Sequence, residues 1–449
     1  EVTGFIGFAR SFATATEYRH FLTVDSVGNL YLLGKFTGTV NFAAAFGDVD
    51  ERTAVATDLF VTRINADGSY GWTRTLQADY SVDGGSPIVA NLNGVYLTGG
   101  FEGIVDFATD FGSSDVKTSA GYKDLFVTYI GGDGSYGWTK QVLSAEDAYG
   151  SAITIDTNGN LNVAGTFMGT VDFGAGFGGS DSKQAYFYAA SFTKLTSEGG
   201  YLWTRIFKYN SSSYPVQLFG KGFVADVLGD VYLAFSAANA WLNITDLNVR
   251  QDFGANAYAS MQAYADDLFL VKAGAGGTYT WFTQHLNRQF MDLQTDRNAA
   301  TFLGSRGNNG TVFGLHEYHY SSTYPSSYTA PATTGFTIDV NDDLLFLSLF
   351  EDTEDFGSVF ESASGPDLKT AHGGVDLAVS KMDVVNHAPL YTGTLVFGGL
   401  GDEVSHKILG DGMGNLYLTG VFEGTVMLGD GSELTATEPA EVFLLKMEP

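Results

Sequence analysis

This sequence predicts an all-β protein, and three observations carry that expectation. Glycine is abundant at 57 and proline scarce at 8, with Tyr, Phe, Thr and Val spread along the chain, which favours many short strands joined by tight turns. A pair of alternating apolar runs recurs from one end to the other. The heptapeptide DGSYGWT occurs at 67–73 and again at 133–139. Together they predict one domain over 1–449: a seven-bladed β-propeller with four antiparallel strands per blade, its last blade closed by the N-terminal strand.

Strands A and B open each repeat. FLTVDSVGNLYLLGKFTGTVNF (21–42) returns as SPIVANLNGVYLTGGFEGIVDF (86–107) and AITIDTNGNLNVAGTFMGTVDF (152–173). Looser copies lie at 222–235, 290–304 and 335–350, and a clear one closes the series at 407–428. In each, period-two runs flank a turn such as Gly28-Asn29, Gly159-Asn160 or Gly414-Asn415, which tolerates the left-handed conformation and signals a hairpin. Strand C follows as DLFVTRI (58–64), DLFVTYI (124–130), YFYAASF (186–192), DLFLVKA (267–273), DLAVSKM (376–382) and EVFLLKM (441–447), with VFGLHEY (312–318) a degenerate member.

Strand D carries an aromatic anchor. It falls at Trp72, Trp138, Trp203 and Trp281, and alignment puts Tyr328 and Tyr391 in the same slot of repeats five and six. Each ring is expected to bury against a neighbouring blade. Repeat seven ends at strand C, and its D strand is read at the other end of the chain. There GFIGFAR (4–10) matches GSYGWTR (68–74), with Phe8 in the tryptophan slot. Segment 4–12 thus completes the blade of 404–449, and a ring closed this way needs no capping repeats.

The repeats resemble the bacterial SBBP-type β-propeller repeat, on DLFVT (124–128), DGSYGWTK (133–140), AITID (152–156), GNL (159–161) and GTVDF (169–173). The resemblance spans essentially the whole chain, strongest in repeats one, two, three and seven. It implies a secreted or cell-surface protein and implies no reaction, because no shared activity goes with it. The tryptophan strand faintly resembles that of quinoprotein dehydrogenases, but those are eight-bladed and no matching cofactor constellation is present in the sequence.

Composition narrows the partners. Lys plus Arg number 23 against 51 Asp plus Glu, a net charge of −28, so nucleic acid and anionic lipid are poor partners. No run of ~18 apolar residues occurs, so no transmembrane segment is expected. The absence of cysteine excludes disulfides, thiol catalysis and thiolate metal sites. The acidic turns DSVGN, DTNGN and DGMGN lack the oxygen spacing of a calcium loop and are read as hairpin turns. No metal site or cofactor is identified, and a buried calcium at one or two blades stays open as the alternative. Asp58, Asp124, Asp267 and Asp376, at the head of strand C, are read as turn-capping or inter-blade acceptors.

The B–C connections at 36–57, 101–123, 167–185, 236–266 and 351–375 are long, so one face is elaborated, and ligand contacts are expected there. Trp241, in SAANAWLNITD, is either a stacking platform or the plug of its own loop. In HEYHYSSTYPSSY (316–328), His316, Tyr318 and Tyr320 alternate onto one strand face and Tyr324 follows. Such rings suit carbohydrate stacking, and edge-strand packing explains them equally well. His316 and His319 fall on opposite sides of a strand and make no metal pair. The reading is a non-catalytic extracellular module that binds glycan or protein at a cell surface. The alternatives are a self-associating structural subunit and, less favoured, a polysaccharide-processing enzyme.

Overall fold

Runs such as VYLTGGF and DLFLVKA are apolar on both faces, and only a strand covered on both sides satisfies them. In the computed structural model Gly94–Phe101 and Leu268–Ala273 are buried along their whole lengths. The structure describes residues 5–12, 20–79, 85–209, 217–238, 247–248, 267–285, 288–295, 301–307, 313–318, 326–330, 333–359, 365–385, 388–436 and 439–448. Their regular structure is antiparallel β, apart from 3-10 turns at Ala44–Phe46, Thr109–Phe111 and Ala175–Phe177 and one helical turn at Phe356–Val359.

The chain divides into two compact units, one of Glu1–Thr75, Gly310–Leu315 and Tyr328–Pro449, the other of Leu76–Asn309 and His316–Ser327. In the first unit, repeat one forms a sheet in the order Phe21–Val24, Leu30–Asn41, Glu51–Ile64, Tyr70–Leu76. Repeat six follows suit with Thr333–Ile338, Leu344–Phe350, Asp376–Val385 and Ala388–Gly399. Repeat seven supplies Val404–Gly410, Leu416–Phe422 and Glu441–Glu448, and Phe5–Phe12 takes the D position beside Glu441–Glu448. Phe5 pairs with Glu448, Phe8 with Lys446 and Phe12 with Val442. Phe8 therefore stands in the tryptophan register, since Trp138 pairs with Tyr129 and Trp203 with Lys194 at the same step of strand C.

In the second unit, repeat two is Ile88–Asn91, Gly94–Phe101, Asp124–Gly131 and Tyr136–Val142. Repeat three is Ala148–Ile155, Leu161–Asp172, Ser182–Leu195 and Tyr201–Tyr209. Repeat four is Gln217–Ala225, Val231–Ala238, Leu268–Ala273 and Tyr279–His285. Repeat five contributes Arg288–Thr295 paired with Thr301–Gly307, and the strands Phe313–Tyr318 and Ser326–Ala330 that follow in the chain are each divided between the two units.

Two sequence alignments shift. Tyr391 pairs with Met382, as Tyr136 pairs with Ile130 and Tyr201 with Leu195, so Gly393, opposite Lys381, holds the tryptophan slot in repeat six. The cause is a β-bulge between the two positions, which spaces the tyrosine and tryptophan registers two residues apart along strand D. Strand C of repeat three pairs over Ala189–Leu195, so YFY (186–188) at its expected start falls before the C register.

The heptapeptide marks architecture, and its tyrosine matters as much as its tryptophan. The phenol of Tyr136 donates to Asp115 at 2.5 Å and that of Tyr391 to Asp367 at 2.5 Å, while Tyr70 and Tyr201 donate to Asp50 and Asp181. Each aspartate also holds a cation two residues on: Arg52 at 2.7 Å, Lys117 at 2.7 Å, Lys183 at 3.1 Å and Lys369 at 3.0 Å. Strand D is thereby tied to the segment that leads into strand C. Buried hydroxyl pairs add a rung beside it, Thr62–Thr73 at 2.8 Å and Thr128–Thr139 at 2.9 Å among them. Trp72 is buried, and Trp138, Trp203 and Trp281 are half-buried. Trp138 lies on Gly199 in the next repeat's C–D turn, and Trp203 Nε1 donates to the Ala275 carbonyl at 3.3 Å in the turn after that. Tyr136→Phe removes one charge-assisted bond but leaves Lys117 on Asp115, so it should cost about 1–2 kcal/mol. Urea denaturation checks it: a lowered midpoint with an unchanged m-value is expected.

The long B–C connections have a structural use that the sequence did not disclose. In repeat three the turn Ala175–Phe177 lies on strand D of repeat two, where a Cβ on Gly176 would come within 1.9 Å of the Gln141 carbonyl. Ser144 bridges Val171 at the same edge, and Gly398 and Gly399 of repeat six pair with Met427 and Val426 of repeat seven. These insertions cover an outer strand edge that would otherwise template association.

Glycine in strand B makes room for phenylalanine in strand C. Gly34 pairs with Phe60, Gly99 with Phe126 and Gly420 with Phe443, and a Cβ on any of the three would stand 2.6–2.8 Å from the ring. Neighbouring sheets within each unit meet through their A strands. In the second unit Ile153 N donates to Ser86 O at 2.9 Å, Ser151 Oγ to Gly220 O at 2.7 Å and Thr295 Oγ1 to Ala225 O at 3.4 Å. In the first, Gly410 N donates to Thr337 Oγ1 at 3.1 Å, and His20 stacks on His406 with their Nδ1 atoms 3.4 Å apart.

Candidate functional site

Trp241, Tyr320 and Tyr324 lie outside the described residues, and so do the side chains of His316 and Tyr318 in strand Phe313–Tyr318. The side chains of Phe8 and Tyr328 lie outside them as well. The acidic turns spend one carboxylate oxygen on their own backbone and the other on side chains. Asp156 accepts from Asn158 N at 2.9 Å, Asn160 N at 2.8 Å and Asn160 Nδ2 at 3.0 Å, and Asp25 and Asp411 repeat the pattern. The neighbouring Gly28, Gly159 and Gly414 have φ of 87°, 80° and 92°, the conformation that closes such hairpins. Among the described residues no group of three or more His, Asp or Glu could hold a metal ion.

The strand-C aspartates act as caps. Asp124 accepts from Ala120 N at 2.9 Å and Ser144 N at 2.8 Å, joining the head of strand C to the chain leaving strand D. Asp58 accepts from Val55 N at 3.1 Å, and Asp267 from Gln284 Nε2 at 2.7 Å.

A contiguous polar and aromatic ledge forms in the second unit where strands A begin. Lys123, just before strand C of repeat two, reaches Asp79 at 3.0 Å and gives its backbone N–H to Asp147 at 3.2 Å. The other Asp147 oxygen accepts from the Tyr188 phenol. Tyr188 lies 5.9 Å from the Phe219 ring, and the Lys221 ammonium sits 5.7 Å over Phe219. Tyr188, Phe219, Lys123, Lys221 and Asp147 are all half-buried, while Tyr186, two residues along the same strand as Tyr188, and Tyr122 are exposed. Burial and the Asp147 carboxylate both push the Tyr188 phenol above its ordinary value, so it remains a donor across the physiological range. Rings held at fixed angles beside carboxylates and ammonium groups can stack on a sugar face and bond its hydroxyls.

Sequence reasoning missed these residues, because YFYAASF was aligned whole as strand C. The signal was there in the register: Tyr186 and Tyr188 precede the Ala189 position, and being two apart in a strand they share a face.

No family model matches this chain, and no curated protein matches it. Among solved structures it is similar to puromycin hydrolase, with a TM-score of 0.46 and 9% identity, covering 94% of this chain and 54% of that one, so it spans about half that protein's length. Similarity to the polysaccharide lyase Uly1 has a TM-score of 0.41 and 10% identity over 99% of this chain and 98% of that one. For a protein of unknown function from Dyadobacter fermentans the values are 0.38 and 10%, over 100% of both chains. Likeness at this level carries no inference about activity.

Proposed function

We propose that the chain closes as a seven-bladed propeller of the SBBP kind and serves outside the cell as a non-catalytic binding module for an uncharged glycan. The ring reading draws support from each unit separately. Consecutive repeats pack in chain order, and the N-terminal strand completes the sheet of the last repeat. Inner strands also converge, since Gly85 N donates to Lys221 O at 2.5 Å although a whole repeat lies between them in sequence.

One observation carries the ligand reading: the ledge of Tyr188, Phe219 and Asp147, with Tyr122 and Tyr186 exposed nearby. The net charge of −28 disfavours an acidic polysaccharide and leaves neutral sugars as the better fit. Tyr188→Ala should weaken binding of a neutral oligosaccharide about tenfold, the effect of losing ~1.4 kcal/mol of stacking. A glycan array identifies the probe, and calorimetric titration of wild type and variant supplies the ratio. Either no neutral glycan bound, or equal affinity for both proteins, would sink the reading.

A further inference from the structure

A buried acid pair in the first unit has no counterpart in the ledge. Glu403, just before strand A of repeat seven, is 2% exposed, and its carboxylate oxygens make no well-formed hydrogen bond, although the backbone N–H of Gly399 bears on them and favours the ionised form. Beside it stands Asp376, the head of strand C in repeat six, 0% exposed and with Oδ1 unpartnered. Ionised carboxylates are acceptors only, so two of them side by side offer each other nothing. Asp376 Oδ2 is already taken by the backbone N–H and the Nδ1 of His372, both at 2.9 Å.

A cation is a poor fit for the remaining oxygens. Glu403 borders a cavity of ≈ 10 Å³ whose other walls include Leu377, Phe397, Leu418, Phe422 and Phe443, which supply no ligands. Calcium takes six to eight oxygens. The charged groups that bear on Glu403 are themselves acidic, Asp376 first and Asp402 next, and Glu423 packs against Gly401 close by. A single proton satisfies the pair at the least cost.

We propose that the seam between the repeat-six and repeat-seven sheets is a pH-sensitive latch, in which Glu403 is held as a neutral acid that hydrogen-bonds the Asp376 carboxylate and loosens the seam when it ionises. Burial first, and the Asp376 charge second, push Glu403 up to about 8 from the usual 4.5. His372, with a side chain 40% exposed, places an imidazole between the pair and solvent.

The sign follows from linkage. Between pH 4.5 and 8 the folded chain keeps a proton on Glu403 that the unfolded chain has lost. Stability from this group is fully present below 4.5, falls as pH rises and levels off above 8, with up to about a tenfold change in the unfolding constant per pH unit. The experiment compares urea midpoints of wild type and Glu403→Gln from pH 5 to 9, since Gln keeps a neutral donor and cannot ionise. The variant should lose that part of the slope and exceed wild type at the alkaline end; parallel profiles overturn the latch. If the variant does not fold, infrared spectra of the wild type decide. A carboxylic-acid carbonyl band that persists at neutral pH and titrates near 8 supports the latch, and its absence at neutral pH overturns it.

Discussion

Deleting residues 1–12 should abolish cooperative folding of the repeat-seven sheet and cost the chain about 5 kcal/mol or more. Phe5–Phe12 pairs along Glu441–Glu448 from Phe5–Glu448 to Phe12–Val442. Val442, Leu444, Leu445 and Met447 are all at most 2% exposed, and Ala9 packs into the cluster that contains Leu445 and Met447. Uncovering about 200 Å² of apolar surface costs about 5 kcal/mol at ~25 cal/mol/Å², a sizeable share of the 5–15 kcal/mol that typical domains have. The bare Glu441–Glu448 edge would also template association, so the truncated chain should form concentration-dependent oligomers on size-exclusion chromatography. Antiparallel pairing supplies the control. Because Phe5 faces Glu448, the same segment moved behind residue 449 and joined by an Asp-Gly turn can dock as an ordinary hairpin strand. That permutant should recover the wild-type melting temperature. A truncated chain that melts like wild type, or a permutant as damaged as the truncation, would refute the strand's role.

What could be read from the sequence follows from how local each feature is. The A–B hairpins were legible because alternation and a glycine in the left-handed region lie within one short segment, as at Gly28, Gly159 and Gly414. The displaced strand at Phe5–Phe12 was legible because its GFIGFAR spacing copies a strand elsewhere, whatever the distance between them. Tyr391 was misplaced because a bulge separates two aromatic registers, and letters alone do not say on which side of it a lone tyrosine stands. The Tyr–Asp–cation ties escaped notice for another reason. Asp115 and Tyr136 lie in different elements, and their meeting depends on how the B–C insertion folds back. The ledge is harder still, since Asp79, Asp147, Tyr188 and Phe219 come from successive repeats and share no sequence pattern.

Lys194→Met should destabilise the chain by about 3–5 kcal/mol, the usual cost of stranding one member of a buried ion pair. Lys194 Nζ lies 2.8 Å from Asp156 Oδ2, with side chains 5% and 0% exposed. Burial works to raise Asp156, but its bonds from Lys194 and Asn160 outweigh that and hold the carboxyl below its usual range. This part of the stability is therefore present at neutral pH and lost as pH falls through the carboxylate range, and the variant should lose that acid dependence too. Repeat six keeps the arrangement, with Lys381 3.0 Å from Asp339, whereas in repeat four Lys272 lies 3.8 Å from the equivalent Asp226 and 3.1 Å from Asp230 at the other end of the turn. Repeat two replaces both members at once. Tyr129 stands at the lysine position and Asn91 in the turn, where the Tyr129 phenol donates to Asn93 O at 2.7 Å and its ring stacks on Tyr96 at 4.7 Å. The chain thus contains its own neutral solution to the same site. Lys194→Tyr with Asp156→Asn should recover most of what either change alone removes, giving a large coupling energy in a double-mutant cycle read by urea denaturation. Additive losses in that cycle would mean that Lys194 and Asp156 contribute separately, and that the pairing is not what holds the turn.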